Sequence, residues 1–67
     1  MNARLAVLEN KRLVNELIET SKRVAERKNI SLDAAIDYGV NVRVKFAKSN
    51  NEKVAWEIRG EEAKKSI

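Results

Sequence analysis

Two short segments in the second half of the chain, residues 42–46 and 54–58, carry a large apolar residue at every second position. This is the period of a β-strand with one buried face and one solvent-exposed face. A polar stretch containing Ser49, Asn50 and Asn51 separates the two segments, and asparagine tolerates the left-handed backbone conformation that tight loops require. The pattern therefore predicts an antiparallel β-hairpin.

Charge pairing selects the register of this hairpin. Pairing Phe46 with Val54 places Arg43 opposite Glu57, whereas a register shifted by two residues places Arg43 opposite Arg59. Opposite charges in a direct cross-strand pair are stabilising and like charges are destabilising. We therefore expect the first register, with the aromatic rings of the hairpin on its buried face.

Residues 3–28 contain no Gly or Pro and are rich in Ala, Leu, Glu, Lys and Arg, which favour helices. At 100° per residue one face of this segment is apolar, and the segment is therefore predicted to be a long amphipathic helix. Asn29 is a suitable left-handed terminator. The apolar face consists of Ala6, Val7, Leu13, Val14, Leu17, Ile18, Ser21, Val24 and Ala25.

A short second helix is predicted next. Ser31 is a suitable N-cap, and Asp33 in the first turn would interact favourably with the helix dipole. Leu32, Ala35 and Ile36 would lie on the buried side, and Gly39 is a natural C-terminal stop. Asp33 also shares a face with Asp37, but two carboxylates without His or Cys are too few for a metal site, and we predict none.

Together these elements predict a single α+β domain over residues 1–67, with the hairpin packed on the long helix and residues 61–67 forming a polar tail. A chain of 67 residues buries a small fraction of its surface. Because it contains no Cys or His, neither a disulfide nor a zinc site can add stability. We therefore expect self-association into a homo-oligomer.

Residues 24–36 also resemble the junction between the two helices of ribbon-helix-helix repressors, which are dimers that place a basic strand in the DNA major groove. The resemblance implies a strand before the first helix and a long second helix. Residues 32, 35, 36, 39 and 46 do share a helical face. Against it, residues 2–9 contain few basic residues, and Gly39 and the β-branched run that follows disfavour a long helix. A ribbon-helix-helix-like dimer is therefore the alternative fold.

The residue inventory argues against catalysis. Nucleophilic triads usually need His or another poised base, and the only two glycines, Gly39 and Gly60, form no phosphate-binding loop. We therefore predict no enzyme, cofactor or small-molecule substrate. No apolar run approaches the roughly 18 residues of a membrane span, and the amino terminus does not resemble a signal peptide. The sequence thus predicts a cytoplasmic protein without membrane contact.

Nucleic-acid binding is the first functional hypothesis, because 14 basic residues against 10 acidic residues give a net charge of +4. Basic side chains are expected on the wet faces of the first helix and of the hairpin. Since the aromatic rings of the hairpin are predicted to be buried, we expect contact with duplex DNA rather than base stacking. The candidate residues are Arg4, Lys11, Lys22, Arg43, Lys45 and Arg59.

A protein-binding modulator is the alternative hypothesis. Leu5 and Leu8 fall opposite the apolar face of the first helix. They either belong to a frayed helix start or contact a partner or a second copy of the chain. The exposed edge of the hairpin would contribute to the same contact, since unpaired strand edges bind other chains.

Overall fold

The computed structural model describes the backbone of residues 3–67 and the side chains of residues 7–67. Over this range the chain forms three helices, α1 (Ala3–Lys28), α2 (Leu32–Phe46) and α3 (Asn50–Lys65), and contains no strand. Each helix packs against the other two, so the architecture is a three-helix bundle. The α+β prediction is therefore wrong. No helix in the described part is both long and apolar enough to cross a membrane.

The long first helix is confirmed. α1 covers the segment without Gly or Pro, and Arg27 and Lys28 lie in its last turn, where the helix dipole favours cations. Asn29 follows with a positive φ of 54°, as expected of a left-handed terminator. Local propensity and the apolar period agree along this helix, which explains why the sequence predicts it correctly.

The second helix begins as predicted but does not end as predicted. The Ser31 hydroxyl accepts a hydrogen bond from the Ala34 N–H at 3.1 Å. The helix then continues through Gly39 to Phe46. Gly39 is a packing residue and not a stop, because a Cβ at this position would lie 3.1 Å from Cδ1 of Leu17 on α1. The missing side chain thus lets α1 approach α2 closely.

The predicted hairpin is wrong in both strands. Residues 42–46 form the end of α2, and residues 54–58 lie in the middle of α3, so Arg43 has no cross-strand partner. Val42 and Phe46, like Val54 and Ile58, are four residues apart, a spacing that keeps two side chains on one face in both a strand and a helix. Five-residue segments of this kind therefore do not distinguish a strand from a helix.

A capping signal before α3 favours a helix over a strand for residues 54–58. The Ser49 hydroxyl accepts from the Glu52 N–H at 3.2 Å, and Oε2 of Glu52 accepts from the Lys48 N–H at 2.9 Å. These contacts closely resemble a capping box, whose signature is Ser followed three residues later by Glu. α3 then extends to Lys65, so residues 61–65, predicted as part of a polar tail, are its last turns.

The ribbon-helix-helix alternative is also wrong. Its strand would lie within residues 2–9, but the chain is already helical from Ala3. The helix, turn and helix expected at residues 24–36 are present as the junction of α1 and α2. A third helix, which that resemblance does not imply, packs against both.

The core is small. α2 and α3 run antiparallel: Asp37 Oδ1 lies 2.6 Å from Lys64 Nζ, and a Cβ on Gly60 would lie 2.5 Å from Cγ2 of Val40. Such limited burial gives a marginally stable domain. The buried apolar residues of the described part are Val14, Leu17, Ala35, Ile36 and Ala63, with Ile18, Leu32 and Val40 packed around them.

Candidate nucleic-acid interface

Two of the predicted nucleic-acid contacts, Arg43 and Arg59, lie where the three helices pack together, which we call the body of the bundle. Their guanidinium carbons are 4.9 and 4.6 Å from the centre of the Trp56 ring, and both residues are half-buried. Nη1 of Arg43 donates to the Gly39 carbonyl at 3.2 Å, and Nε of Arg59 donates to Oδ1 of Asn10 at 2.8 Å. Cation–π contacts of this kind contribute about 0.5–2 kcal/mol each. These arginines therefore stabilise the packing of the helices.

The predicted basic row on α1 is interrupted by carboxylates. Lys11 and Lys22 are exposed, but Nζ of Lys22 lies 3.6 Å from Glu19. Arg12 forms ion pairs of 2.6 and 2.7 Å with Glu9 and Glu16, and the hydrogen bond to Glu9 raises its pKa. The side chain of Arg4 lies outside the described residues. The described part of α1 therefore has a mixed-charge surface and no continuous basic track.

An open groove of about 640 Å³ runs along this mixed-charge surface of α1. Its charged lining consists of four basic groups, on Lys11, Arg12, Arg23 and Arg43, and two carboxylates, on Glu16 and Glu19. Two of these basic groups, on Arg12 and Arg43, are held in the contacts described above, which leaves Lys11 and Arg23 as the basic groups of the groove that could attract a polyanion.

The predicted partner contact on α1 is exposed where the structure describes it. Leu8 is 55% exposed, and its neighbour Val7 is also exposed. The side chain of Leu5 lies outside the described residues. The other part of that predicted contact, a hairpin edge, does not exist, because the segment is helical.

The turn between α2 and α3 is basic and, unlike the surface of α1, has only one carboxylate. We define the tip as residues 45–53, which carry three lysines, at positions 45, 48 and 53, and one carboxylate, Glu52. All three lysines are exposed, and no ion pair found among residues 7–67 involves them. Glu52 is engaged by the backbone of Lys48. The tip is therefore a small surface of net charge +2 with free ammonium groups.

Phe46 protrudes from this basic surface. It is the last residue of α2 and is 76% exposed, the largest exposure among the large hydrophobic residues of the described part. Fully burying such a side chain stabilises a protein by about 1.5–3 kcal/mol. A chain with so small a core forgoes most of that stabilisation at Phe46. The ring is thus available to a ligand.

Helix caps on both sides hold the tip in place. The Ala47 N–H donates to the Val44 carbonyl at 3.2 Å and ends α2, and the Lys53 N–H donates to the Ser49 carbonyl at 3.2 Å in the first turn of α3. Only three residues separate the helices. A short, capped turn has an ordered backbone before the ligand arrives, so binding costs little further backbone entropy.

Lys45 is among the residues predicted from the sequence, but Phe46 is not, because the hairpin prediction placed its ring inside. The overlooked signal is the Ser49 to Glu52 spacing, which is typical of a helix start. A helix starting at Asn50 leaves no room for a second strand, and Phe46 then ends a helix. Its exposure depends further on how α1 and α3 pack, which no local pattern encodes.

The chain matches no protein-family model, no curated protein sequence and no solved structure. A function is therefore inferred from the chain's own residues and geometry.

Proposed function

We propose that this protein is a non-catalytic nucleic-acid-binding module whose contact surface is the tip. The observation that carries the proposal is the set of three exposed lysines, Lys45, Lys48 and Lys53, around a short ordered turn. Lysines free of carboxylate partners can neutralise phosphates and release counterions, which supplies the sequence-independent part of nucleic-acid affinity. Of the residues predicted from the sequence, Lys45 belongs to this surface.

The surroundings of the basic groups favour the tip over three of the other positions predicted from the sequence. Arg43 and Arg59 are half-buried against Trp56, and Lys22 has a carboxylate neighbour. Moving either arginine onto a phosphate would forfeit its contact with the ring. The tip lysines lose no comparable contact.

The test compares two triple variants of equal charge. Changing Lys45, Lys48 and Lys53 to Gln removes the tip charges, whereas changing Lys11, Lys22 and Lys65 to Gln removes three exposed charges elsewhere. Each phosphate contact contributes a slope of about −0.7 to log K against log salt for single strands. If all three tip lysines contact phosphates, the tip variant should lower the slope by about 2.

The control variant should leave most of that slope in place. Equal losses in both triple variants would instead indicate attraction to net charge alone and would contradict a site at the tip. Binding that does not weaken with salt, or no binding to any nucleic acid, would remove the proposal. Far-ultraviolet circular dichroism should give the same helix content for all three proteins.

A second candidate function is protein binding through α1, favoured by the exposure of Val7 and Leu8. A Leu8→Asp variant should keep its helix content and lose a self-association or partner contact, while Glu19→Asp on the same helix serves as a control. Light scattering measures the mass of both. An unchanged mass, together with unchanged retention of every partner captured by the wild type, would contradict this function.

A further inference from the structure

We infer that Phe46 is a base-stacking platform and that the preferred ligand of the tip is single-stranded nucleic acid. The inference rests on the proposed nucleic-acid function and reverses the expectation, drawn from the sequence, of contact with duplex DNA. That expectation depended on buried rings, and the ring of Phe46 is 76% exposed.

The three aromatic residues of the chain differ in what covers them. Trp56 is flanked by two guanidinium groups, and Nζ of Lys28 lies 4.4 Å from the centre of the Tyr38 ring. No cation–π contact among the described residues involves Phe46. Of these rings, Phe46 is therefore the one that offers a free face to a base.

The spacing of the tip lets one nucleotide contact both kinds of group. Phe46 and Lys48 are two residues apart, so their Cα atoms are separated by at most about 7 Å. Lys45 precedes the ring directly. A base stacked on Phe46 thus has ammonium groups within side-chain reach of its own or the adjacent phosphate. This combination of an aromatic face and a basic surface is typical of single-strand binding sites.

Duplex DNA does not fit the tip as well. An aromatic side chain can enter a duplex only by unstacking a base step, which is energetically costly, whereas a single strand presents its base faces freely. α2 and α3 are antiparallel along their length, as the Asp37 to Lys64 ion pair requires. They therefore do not form the crossed pair of a helix-turn-helix motif, which presents a recognition helix to the major groove.

Charge also argues against a second copy of the chain as the occupant. A symmetric contact through the tip would bring the three lysines of one copy against the same three of the other. Like charges across an interface are unfavourable, and a polyanion removes that repulsion. A ligand with negative charge would satisfy the lysines, and one that also carries a flat ring could stack on Phe46.

The experiment measures fluorescence anisotropy of labelled oligo(dT) of about 12 nucleotides and of a duplex of similar length, against four proteins. These are the wild type, Phe46→Leu, Phe46→Tyr and Tyr38→Leu. Phe46→Leu keeps an apolar side chain but removes the ring, and Phe46→Tyr restores a ring. Tyr38→Leu is the matched control, since it removes another exposed aromatic ring from the same helix.

We expect Phe46→Leu to weaken oligo(dT) binding by about 5- to 140-fold, the range for loss of one stacked base. Phe46→Tyr and Tyr38→Leu should stay within about 2-fold of the wild type, and duplex binding should be weaker and insensitive to Phe46→Leu. Unchanged oligo(dT) binding by Phe46→Leu, or a preference for duplex, overturns the inference. The proposed function would then still stand on the lysine variants.

Two further results separate the hypotheses. If neither nucleic acid binds, the inference and the proposed function both fail. If a labelled poly-Glu peptide of similar length binds as tightly as oligo(dT), the tip recognises an acidic protein segment and the stacking inference fails. Helix content by circular dichroism should match in all four proteins, because Phe46 and Tyr38 are exposed.

Discussion

Trp56 in the body of the bundle and Phe46 at the tip are both aromatic residues with basic neighbours, but the neighbours differ in kind. The ring of Trp56 lies against two arginines that are half-buried and hydrogen-bonded to Gly39 and Asn10. Phe46 is surrounded in sequence by lysines that are exposed. The same combination of cation and ring thus stabilises the fold in one place and remains available to a ligand in the other.

The difference follows from the side chains themselves. A guanidinium is planar and weakly hydrated, so it stacks on a ring and tolerates partial burial. An ammonium is compact and strongly hydrated, so it stays in water until a phosphate or carboxylate replaces that water. Counting basic residues in the sequence does not separate these two roles. Substitutions in the body and at the tip should therefore have different effects.

The strongest contrast is between Trp56→Ala and Phe46→Ala. Removing the Trp56 ring leaves a void and deprives Arg43 and Arg59 of their contact, so we expect a loss of about 2–3 kcal/mol in the free energy of unfolding. Phe46→Ala should change it by less than about 0.5 kcal/mol, because the ring is exposed. Urea denaturation followed by circular dichroism measures both. Equal losses would show that the two rings play the same part.

Gly60→Ala tests whether the body can be weakened without altering the tip. The new Cβ would lie 2.5 Å from Cγ2 of Val40, and we expect a loss of about 1–2 kcal/mol after the gain in helix propensity is subtracted. Gly39→Ala is the milder comparison and should cost less stability, because its Cβ would lie 3.1 Å from Cδ1 of Leu17, a longer contact than the one at Gly60. Oligo(dT) affinity of the folded Gly60→Ala protein should equal that of the wild type. A large loss of affinity would contradict the independence of body and tip.

Ser49→Ala makes the converse test, since it weakens the tip directly. Loss of this N-cap should destabilise the protein by about 1 kcal/mol and, by loosening the turn, reduce oligo(dT) affinity. Ser31→Ala removes the equivalent cap of α2. It should cost a similar amount of stability and leave affinity unchanged. Identical affinities for the two variants would argue against a preorganised tip.

The smallest expected effect concerns the ion pair between Asp37 and Lys64. Their hydrogen bond raises the pKa of Lys64 above the ordinary 10.5. The contribution of the pair is therefore fully present below pH 10.5 and is lost as the pH rises through the raised pKa. Asp37→Asn should melt slightly below the wild type at pH about 9 and at the same temperature once Lys64 is neutral. A difference that persists at high pH would assign another role to Asp37.

Local signals predicted single helices and caps correctly wherever only one pattern was present. α1, its left-handed terminator Asn29 and the cap at Ser31 all follow from propensity and capping rules. The glycines and the alternating valines were compatible with more than one structure. Gly39 and Gly60 look like chain breaks until the neighbouring helix is known, and they are places where helices approach closely. That information is tertiary and is absent from any short window.

The candidate site was predictable only in part. The lysines at the tip are evident in the sequence, and the Ser49 to Glu52 spacing would have turned the predicted hairpin into two helices. The exposure of Phe46 was not predictable, because residues 32, 35, 36, 39 and 46 share one helical face and only the packing of α1 and α3 leaves the last of them uncovered. The burial of Arg43 and Arg59 likewise depends on where α3 places Trp56.

Trp56 is the chain's only tryptophan, and its ring is held between elements of the bundle body by Arg43 and Arg59. Unfolding must separate the indole from both guanidinium groups and expose it to water, so its fluorescence should report the integrity of the body without any added label. Stability and ligand occupancy can then be followed as two separate optical signals in one sample, the first from Trp56 and the second from the dye on the oligonucleotide.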